Sequence, residues 1–383
     1  MPRPWDVAIV GSGPAGCAAA IAATRADPSA AVLLLDRREF PRDKCCGDAV
    51  LGEAFDELAE HGVDPAALTA GFSPIGQVEL TTPAGRTVTG PVPSGMWVIP
   101  RVILDSRLLD AACAAGVTWR RQVVRRVVDA GDHVEIDGGL RARVVIGADG
   151  AESAVRRSLP RAARPSVAVA LRGYDAEPGT GRPRLVFGRG SGLSYAWRFP
   201  SAGGPTNIGY GQLLRPGEYA RRADLLATMH ELLPGIRPAP ASLRAHRLPL
   251  VTSRQRAADG RLLLAGDAAA LVNPISGEGI YYAIVSGLAA GAAAVGSPGT
   301  AAPRYRAELR RRFGRHQRAV EVLSVLMNSE SLLEAGILAA DADPAVFADV
   351  AGLALGNGRI TGRVAGALVR ELLLRRGAVN APP

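Results

Sequence analysis

Three glycines near the N-terminus, Gly11, Gly13 and Gly16, stand in the spacing G-x-G-x-x-G behind the apolar run Trp5–Val10 and ahead of an alanine-rich stretch from Cys17 to Ala26. In that setting the first glycine permits a tight turn, the second lets backbone approach a pyrophosphate, and the third allows close packing of helix on strand. Asp36 closes the next apolar run, twenty residues beyond Gly16, where a carboxylate accepts hydrogen bonds from ribose hydroxyls and repels a 2′-phosphate. This fingerprint serves FAD and NAD alike. Gly266-Asp267 separates them, because an aspartate at the end of a late strand is where FAD proteins hold the ribityl chain and pyrophosphate. Pro274, Gly277, Gly279 and Ile280 follow in a loop that opens a helix. Backbone N–H groups at such a helix start are suited to the flavin N1/C2=O edge and to the negative charge of a reduced flavin.

The elements that must position these residues read as an α/β protein. Residues 5–36 form a βαβ unit, a helix is expected near Glu53–Glu60, and residues 76–100 alternate as hairpin strands. A helix at Asp105–Ala115 precedes two strands near Trp119–Val128 and His133–Ile136. Strand 142–147 then delivers Asp149, and strand Arg261–Ala265 delivers Asp267. Between about 165 and 250 the pattern is mostly strand, with one helix near Tyr219–Leu233, and helices dominate from Gly279 onward. The expected organisation is a discontinuous Rossmann-like FAD-binding domain (1–75, 96–160, 251–300), an inserted mixed β-sheet substrate domain (76–95, 161–250) and a helical C-terminal region (301–383).

Composition narrows the class. A chain of 383 residues with 48% hydrophobic and 21% charged residues buries a large core and is neither disordered nor fibrous. Four cysteines are too few for a disulfide framework, and the N-terminus has no secretory apolar segment, so a cytoplasmic setting is expected. No apolar run reaches membrane-spanning length. Net charge is +9, but the basic residues are scattered and Lys44 is the one lysine, which argues against nucleic-acid binding. Arginines among apolar residues over 358–376 suggest an amphipathic helix able to rest on a membrane, or packed on the core. The five histidines are isolated in sequence, so neither a metal site nor a Ser-His-Asp triad is expected.

The glycine turn, Asp36, Arg101-x-x-Leu-Asp105, the segment Ala148-Asp149-Gly150 through Ser153 and Arg156, and Gly266-Asp267 together resemble a flavoprotein of the para-hydroxybenzoate hydroxylase (glutathione-reductase-2) type. Three further stretches resemble the geranylgeranyl reductase family within it: Pro41-Arg-Asp-Lys-Cys-Cys46-Gly47-Asp48, Ser194-Tyr195-Ala-Trp197-Arg-Phe199-Pro200 with Gly209-x-Gly211, and Pro274-x-x-Gly277-Glu278-Gly279-Ile280-Tyr281-Tyr282-Ala283. The resemblance spans about residues 5–290. It implies FAD as cofactor, held by Gly11, Gly13, Ala15, Gly16, Asp36, Arg37, Cys46, Gly47, Asp48, Arg101, Asp149, Asp267, Pro274, Gly277, Gly279 and Ile280, with Val124 touching the adenine through its backbone. It further implies Cys46 beside the flavin ring and Tyr195, Trp197 and Phe199 around a lipophilic substrate. This chain departs from the family pattern at Ala49, at the extra Cys45, and at Ser201, where a lysine is common.

The activity expected from this reading is reduction of C=C bonds in an isoprenoid chain, in a prenyl diphosphate, prenyl lipid or prenylated quinone, by hydride from reduced FAD. Cys46, Tyr195 or an ordered water would supply the proton. A flavin monooxygenase that hydroxylates or epoxidises a lipophilic natural product is the alternative, and a flavoprotein that binds lipid or protein without turnover is a third. No second strand–GxGxxG–helix unit exists, so no dedicated NAD(P)H domain is expected. Electrons would come from NAD(P)H or from a separate reductase or ferredoxin.

Overall fold

The computed structural model describes residues 3–159, 165–177, 179–190, 192–201, 204–215, 217–252 and 256–379. Strand β1 (Trp5–Val10) passes through the glycine turn into helix α1 (Pro14–Ala26) and out to β2 (Val32–Asp36). Then come β3 (Ala49–Leu51), α2 (Gly52–Ala59), α3 (Pro65–Thr69), β4 (Ile75–Thr81) and β5 (Thr87–Val98). Helix α4 (Arg101–Ala114) leads to β6 (Thr118–Arg121), β7 (Val127–Asp129), β8 (Val134–Ile136), β9 (Leu140–Gly147) and α5 (Ala154–Ser158). The middle of the chain supplies β10 (Val167–Tyr174), β11 (Arg184–Phe187), β12 (Ser194–Phe199), β13 (Asn207–Leu213), α6 (Arg222–Leu232) and β14 (Arg244–Pro249). A short hairpin, β15 (Ala258–Asp259) and β16 (Leu262–Leu264), precedes five helices: α7 (Ile280–Ala294), α8 (Pro298–Leu326), α9 (Glu330–Asp341), α10 (Pro344–Leu355) and α11 (Gly362–Val379).

The strands of the described residues form two sheets. The first runs β15-β16-β9-β1-β2-β6, with β7 and β8 attached at β9; β1, β2, β6, β9 and β16 are parallel. Its central strands are continuous buried apolar runs, as parallel strands covered on both faces must be. The second runs β14-β10-β13-β12-β11-β4-β5-β3 and is mixed, since β11 and β4 pair in parallel among antiparallel neighbours. The strand expected at Arg261–Ala265 is shorter and belongs to a hairpin, because Gly260 takes a positive φ and reverses the chain there.

Helices α1 and α7 are pressed together on the first sheet. A Cβ at Gly287 or Gly291 of α7 would clash with the carbonyl oxygens of Ala15 and Ala19 on α1, so these glycines allow the backbones to approach. The contact keeps the heads of both helices at one end of the sheet, beside Pro14, Gly279 and Ile280. The head of α1 has no side-chain cap, which leaves its backbone donors for an anion, whereas the Glu278 carboxylate folds onto the head of α7. Helices α9 and α10 lie against β5 of the second sheet, where Phe347 of α10 occupies the space a Cβ on Gly90 would need, while α8 packs along β15 and β16 of the first, with Tyr305 Oη donating to the Leu264 carbonyl at 2.6 Å.

Candidate active site

The turn after β1 is built as the glycine spacing predicts. Gly11 has φ +102, and a Cβ there would clash with the Ala148 carbonyl; one on Gly16 would clash with the Gly11 carbonyl. The Asp36 carboxylate is held at the end of β2 by the Ser12 N–H at 2.8 Å and the Arg38 N–H at 2.9 Å. Above the turn stand two guanidinium groups. Arg101 is buried and makes a forked pair with Asp105 at 2.7 and 2.8 Å, while Arg42 reaches Asp105 at 3.1 Å. Their outer nitrogens lie 3.5 Å (Arg42) and 4.0 Å (Arg101) from where a Gly13 Cβ would sit. Two guanidinium groups, oriented by Asp105, over the uncapped head of α1 suit a diphosphate through their remaining N–H groups.

Asp149 accepts from the Ser153 hydroxyl and from the Ala154 N–H at 2.6 Å, and so caps α5. That aims Arg156 at the carbonyls of Asp267 (3.1 Å) and Ala268 (3.3 Å), clamping the turn in which Gly266 has φ +58. The Asp267 carboxylate meets Lys44 Nζ at 3.0 Å. Burial pushes its carboxyl up, but Lys44, by charge and hydrogen bond, with His246 and Arg101 behind it, outweighs this and holds it below the usual range.

The loop bearing Cys46 is fixed from beneath by Asp48. This residue has φ +63 and is fully buried. Its carboxylate accepts from Tyr174 Oη (2.7 Å), Asn207 Nδ2 (2.8 Å) and the Arg101 N–H (3.3 Å). Asn207 also donates to the Cys46 carbonyl at 2.8 Å and accepts from Trp197 Nε1 at 2.8 Å, which joins the cysteine loop to the aromatic strand β12. Burial pushes Asp48 up to about 6 against the hydrogen bonds from Tyr174 and Asn207. It also raises the Cys46 thiol, against the pull of Arg101.

The loop ahead of α7 is tied into its surroundings. Tyr195 Oη donates to the Ser276 carbonyl, and Ser276 Oγ to the Ala354 carbonyl at the end of α10. The Glu278 carboxylate folds back to accept from the Tyr281 N–H at 2.8 Å. Burial drives its carboxyl up to about 7, although the backbone N–H groups of residues 279–281 and the charge of Arg101 oppose the rise.

Between these parts lies a cavity of about 240 Å³. One end is polar, with Lys44, Arg101, His246, Asp267 and Glu278; the rest is apolar and aromatic. Tyr195, Trp197 and Phe199 of β12 line it, as do Phe347, Ala351 and Leu355 of α10. Buried His246 Nε2 has no hydrogen-bond partner among the described residues and stands at the polar end. An orphaned donor or acceptor there, beside the guanidinium groups and the uncapped head of α1, fits a bound dinucleotide cofactor.

Of the residues expected from the sequence, Cys46, Gly47, Arg101, Tyr195, Trp197, Phe199, Asp267, Gly277, Gly279 and Ile280 meet at this cavity. Gly11, Gly13, Ala15, Gly16 and Asp36 build the turn beside it. Asp48 stands behind the wall with its oxygens engaged, Asp149 caps α5, and Pro274 is buried within its loop. Arg37 is exposed after β2, and Val124 packs on the core between β6 and β7. Sequence reasoning missed His246 and Asn207 as parts of the site, and the entire contribution of α10; Lys44 stood in the quoted flavin loop without an assigned role. Glu278 lay inside a quoted motif without an assigned role.

Residues 4–170 match the family model described as an FAD binding domain. The chain is 34% identical over 313 residues to a menaquinone reductase of Mycolicibacterium smegmatis, covering 74% of each protein. It is 30% identical over 316 residues to digeranylgeranylglycerophospholipid reductase 1 of Methanopyrus kandleri, covering 76% of this chain and 80% of that one. Among solved structures, a geranylgeranyl bacteriochlorophyll reductase-like protein of Thermoplasma acidophilum superposes with a TM-score of 0.79 at 20% identity, over 98% of this chain and 99% of the other.

Proposed function

Because the chain belongs to the geranylgeranyl reductase family of FAD-dependent oxidoreductases, we propose that it saturates C=C bonds in the isoprenoid chain of a lipid, with a prenylated quinone as the leading substrate class. The observation that carries this reading is the mostly apolar lining of the cavity, with Tyr195, Trp197 and Phe199 of β12 and Phe347, Ala351 and Leu355 of α10, which suits an alkyl chain rather than a compact polar molecule. Reduced FAD, when bound, supplies the hydride. Arg42, Arg101 and the head of α1 are placed to hold its phosphates, and Lys44 with Asp267 to hold the polyol.

The chain's own residues do the rest. An unactivated alkene resists hydride, so the wall of Tyr195, Trp197 and Phe199 must press it into one orientation and keep water away. The three aromatic side chains all lie on β12, inside the second sheet, and segment 161–250 is assigned to substrate binding on that ground. Ser201, buried and donating to the Val98 carbonyl at 3.0 Å, offers no cation for a diphosphate, which favours a neutral head group such as a quinone.

Peripheral contact with a membrane belongs to the same proposal. Val322, Val325 and Leu326 at the end of α8, with Val369, Leu373 and Leu374 of α11, are exposed apolar side chains on an arginine-rich region. Among the described residues no helix is long and apolar enough to cross a bilayer.

The test is incubation of chemically reduced holoenzyme with menaquinone, geranylgeranyl diphosphate and an unsaturated archaeal-type lipid, with and without oxygen, followed by mass spectrometry. Products heavier by pairs of hydrogens without oxygen are expected. Insertion of oxygen atoms only in air would replace the reductase reading with a monooxygenase.

A further inference from the structure

Saturating an alkene needs a proton as well as a hydride, and the cavity offers few groups able to give one. Tyr195 is a weak acid made weaker by burial, and its hydroxyl proton is engaged with the Ser276 carbonyl. The Cys46 thiol is likewise pushed up by burial. Lys44 is paired with Asp267, which it keeps ionised, and burial together with Lys44 pulls His246 down toward the neutral form. Among the described residues, Asp267 and Glu278 are the two carboxyl groups on the cavity wall.

We propose that Glu278 is the proton donor of the reductase, positioned at the head of α7 beside Tyr195 and the Cys46 loop. The placement is geometric. Glu278 sits between Gly277, whose Cβ position is 3.0 Å from Tyr195 Oη, and Gly279, the N-cap of α7. One carboxylate oxygen is anchored on the Tyr281 N–H, which fixes the side chain at the junction of the polar end and the aromatic wall. The groups facing it are Arg101 from α4, Cys46 from its loop, Tyr195 from β12 and Tyr282 from α7. Arg101 is the cation among them, and it is already forked onto Asp105. The carboxyl therefore exchanges its proton near neutral pH, where a general acid is most effective.

In the step, the alkene π bond is consumed and two C–H bonds form. One carbon takes a hydride from reduced FAD, which ends oxidised; the other takes the Glu278 proton, leaving a carboxylate that solvent reprotonates. The inference rests on the reductase reading above.

The test uses dithionite-reduced holoenzyme, oxygen-free, in single turnovers with whichever of menaquinone and geranylgeranyl diphosphate the wild type saturates, from pH 5 to 9. Infrared spectra of the oxidised holoenzyme over the same range follow the protonated carboxyl band. The wild-type rate should fall above about pH 7 in step with that band. Glu278→Gln should lose the band and react about 100-fold more slowly or worse, with FAD content and reduction by dithionite unchanged. A Gln variant within threefold of wild type, or a wild-type rate flat from pH 5 to 9, overturns the assignment. If the Gln variant loses FAD, the wild-type pairing of rate and band decides. A wild type that saturates neither compound would sink the reductase reading itself, an outcome distinct from an active enzyme indifferent to Glu278.

Discussion

Asp48 shows how one residue with no access to the cavity can shape its wall. Its carboxylate gathers donors from Tyr174, Asn207 and Arg101, which lie on β10, β13 and α4, and holds Cys46 and Gly47 toward the site from an αL backbone. With a folded value of about 6 against an ordinary 3.8, the folded state binds this proton more tightly than the unfolded chain. The resulting stability is complete below about pH 4 and is lost as pH rises through 6. Asp48→Asn should flatten that part of the stability profile by about 1.4 kcal/mol per unit of pKa difference. Denaturant unfolding of both proteins at intervals from pH 4 to 7 checks this, and parallel curves would refute it. In sequence the same residue stood inside the cysteine motif as a presumed cofactor contact. Its neighbours Tyr174 and Asn207 are more than 120 positions away, beyond the reach of any local pattern.

At the scale of elements, the flavin loop and the C-terminal helices are joined by side chains of α7 and α8. Asn273 Nδ2 reaches Tyr282 Oη at 3.0 Å and the Leu353 carbonyl at 3.0 Å; Tyr282 Oη lies 2.7 Å from His316 Nε2. The end of α10 is thereby held against the loop that opens α7, and α10 lines the apolar side of the cavity. Filling that side should discriminate substrates by chain length. Ala351→Trp is expected to lower kcat/KM for menaquinone with a long side chain by at least about tenfold, the cost of roughly 1.4 kcal/mol of displaced chain contacts, while short-chain analogues react as before. Equal losses for long and short chains would mean that the substrate does not reach α10. The helix periodicity of this region was readable from sequence, but which face meets the cavity was not, since the residues involved are ordinary Ala, Leu and Phe.

For the whole molecule, net charge and the exposed apolar side chains of α8 and α11 act together. Attraction of a +9 protein to anionic lipid falls with ionic strength, whereas insertion of apolar side chains does not. The protein should float with vesicles containing anionic phospholipid in low salt and partly release in 0.5 M salt. Leu373→Glu with Leu374→Glu should weaken binding at both salt levels without altering FAD content. Flotation equal to that of neutral vesicles, or unaffected by the pair of glutamates, would place the docking face elsewhere. Either result leaves the cavity chemistry untouched, because the two leucines are exposed and do not line it.

The nucleotide-binding turn and the α/β frame were determined by sequence alone, because they depend on short-range requirements: glycines where a Cβ would strike backbone, an acidic residue at a strand end, and apolar runs with strand or helix periods; FAD rather than NAD rested on Gly266-Asp267, and the family on the resemblance of its motifs. Tertiary structure decided which polar groups confront one another. Lys44 finds Asp267 across 223 positions, His246 is left with an unpartnered nitrogen at the cofactor end, and Asp48 becomes a buried hub. Burial and the charges brought within reach set those carboxyls and thiols apart from their free values, and neither is a property of a residue's type or its neighbours in the chain.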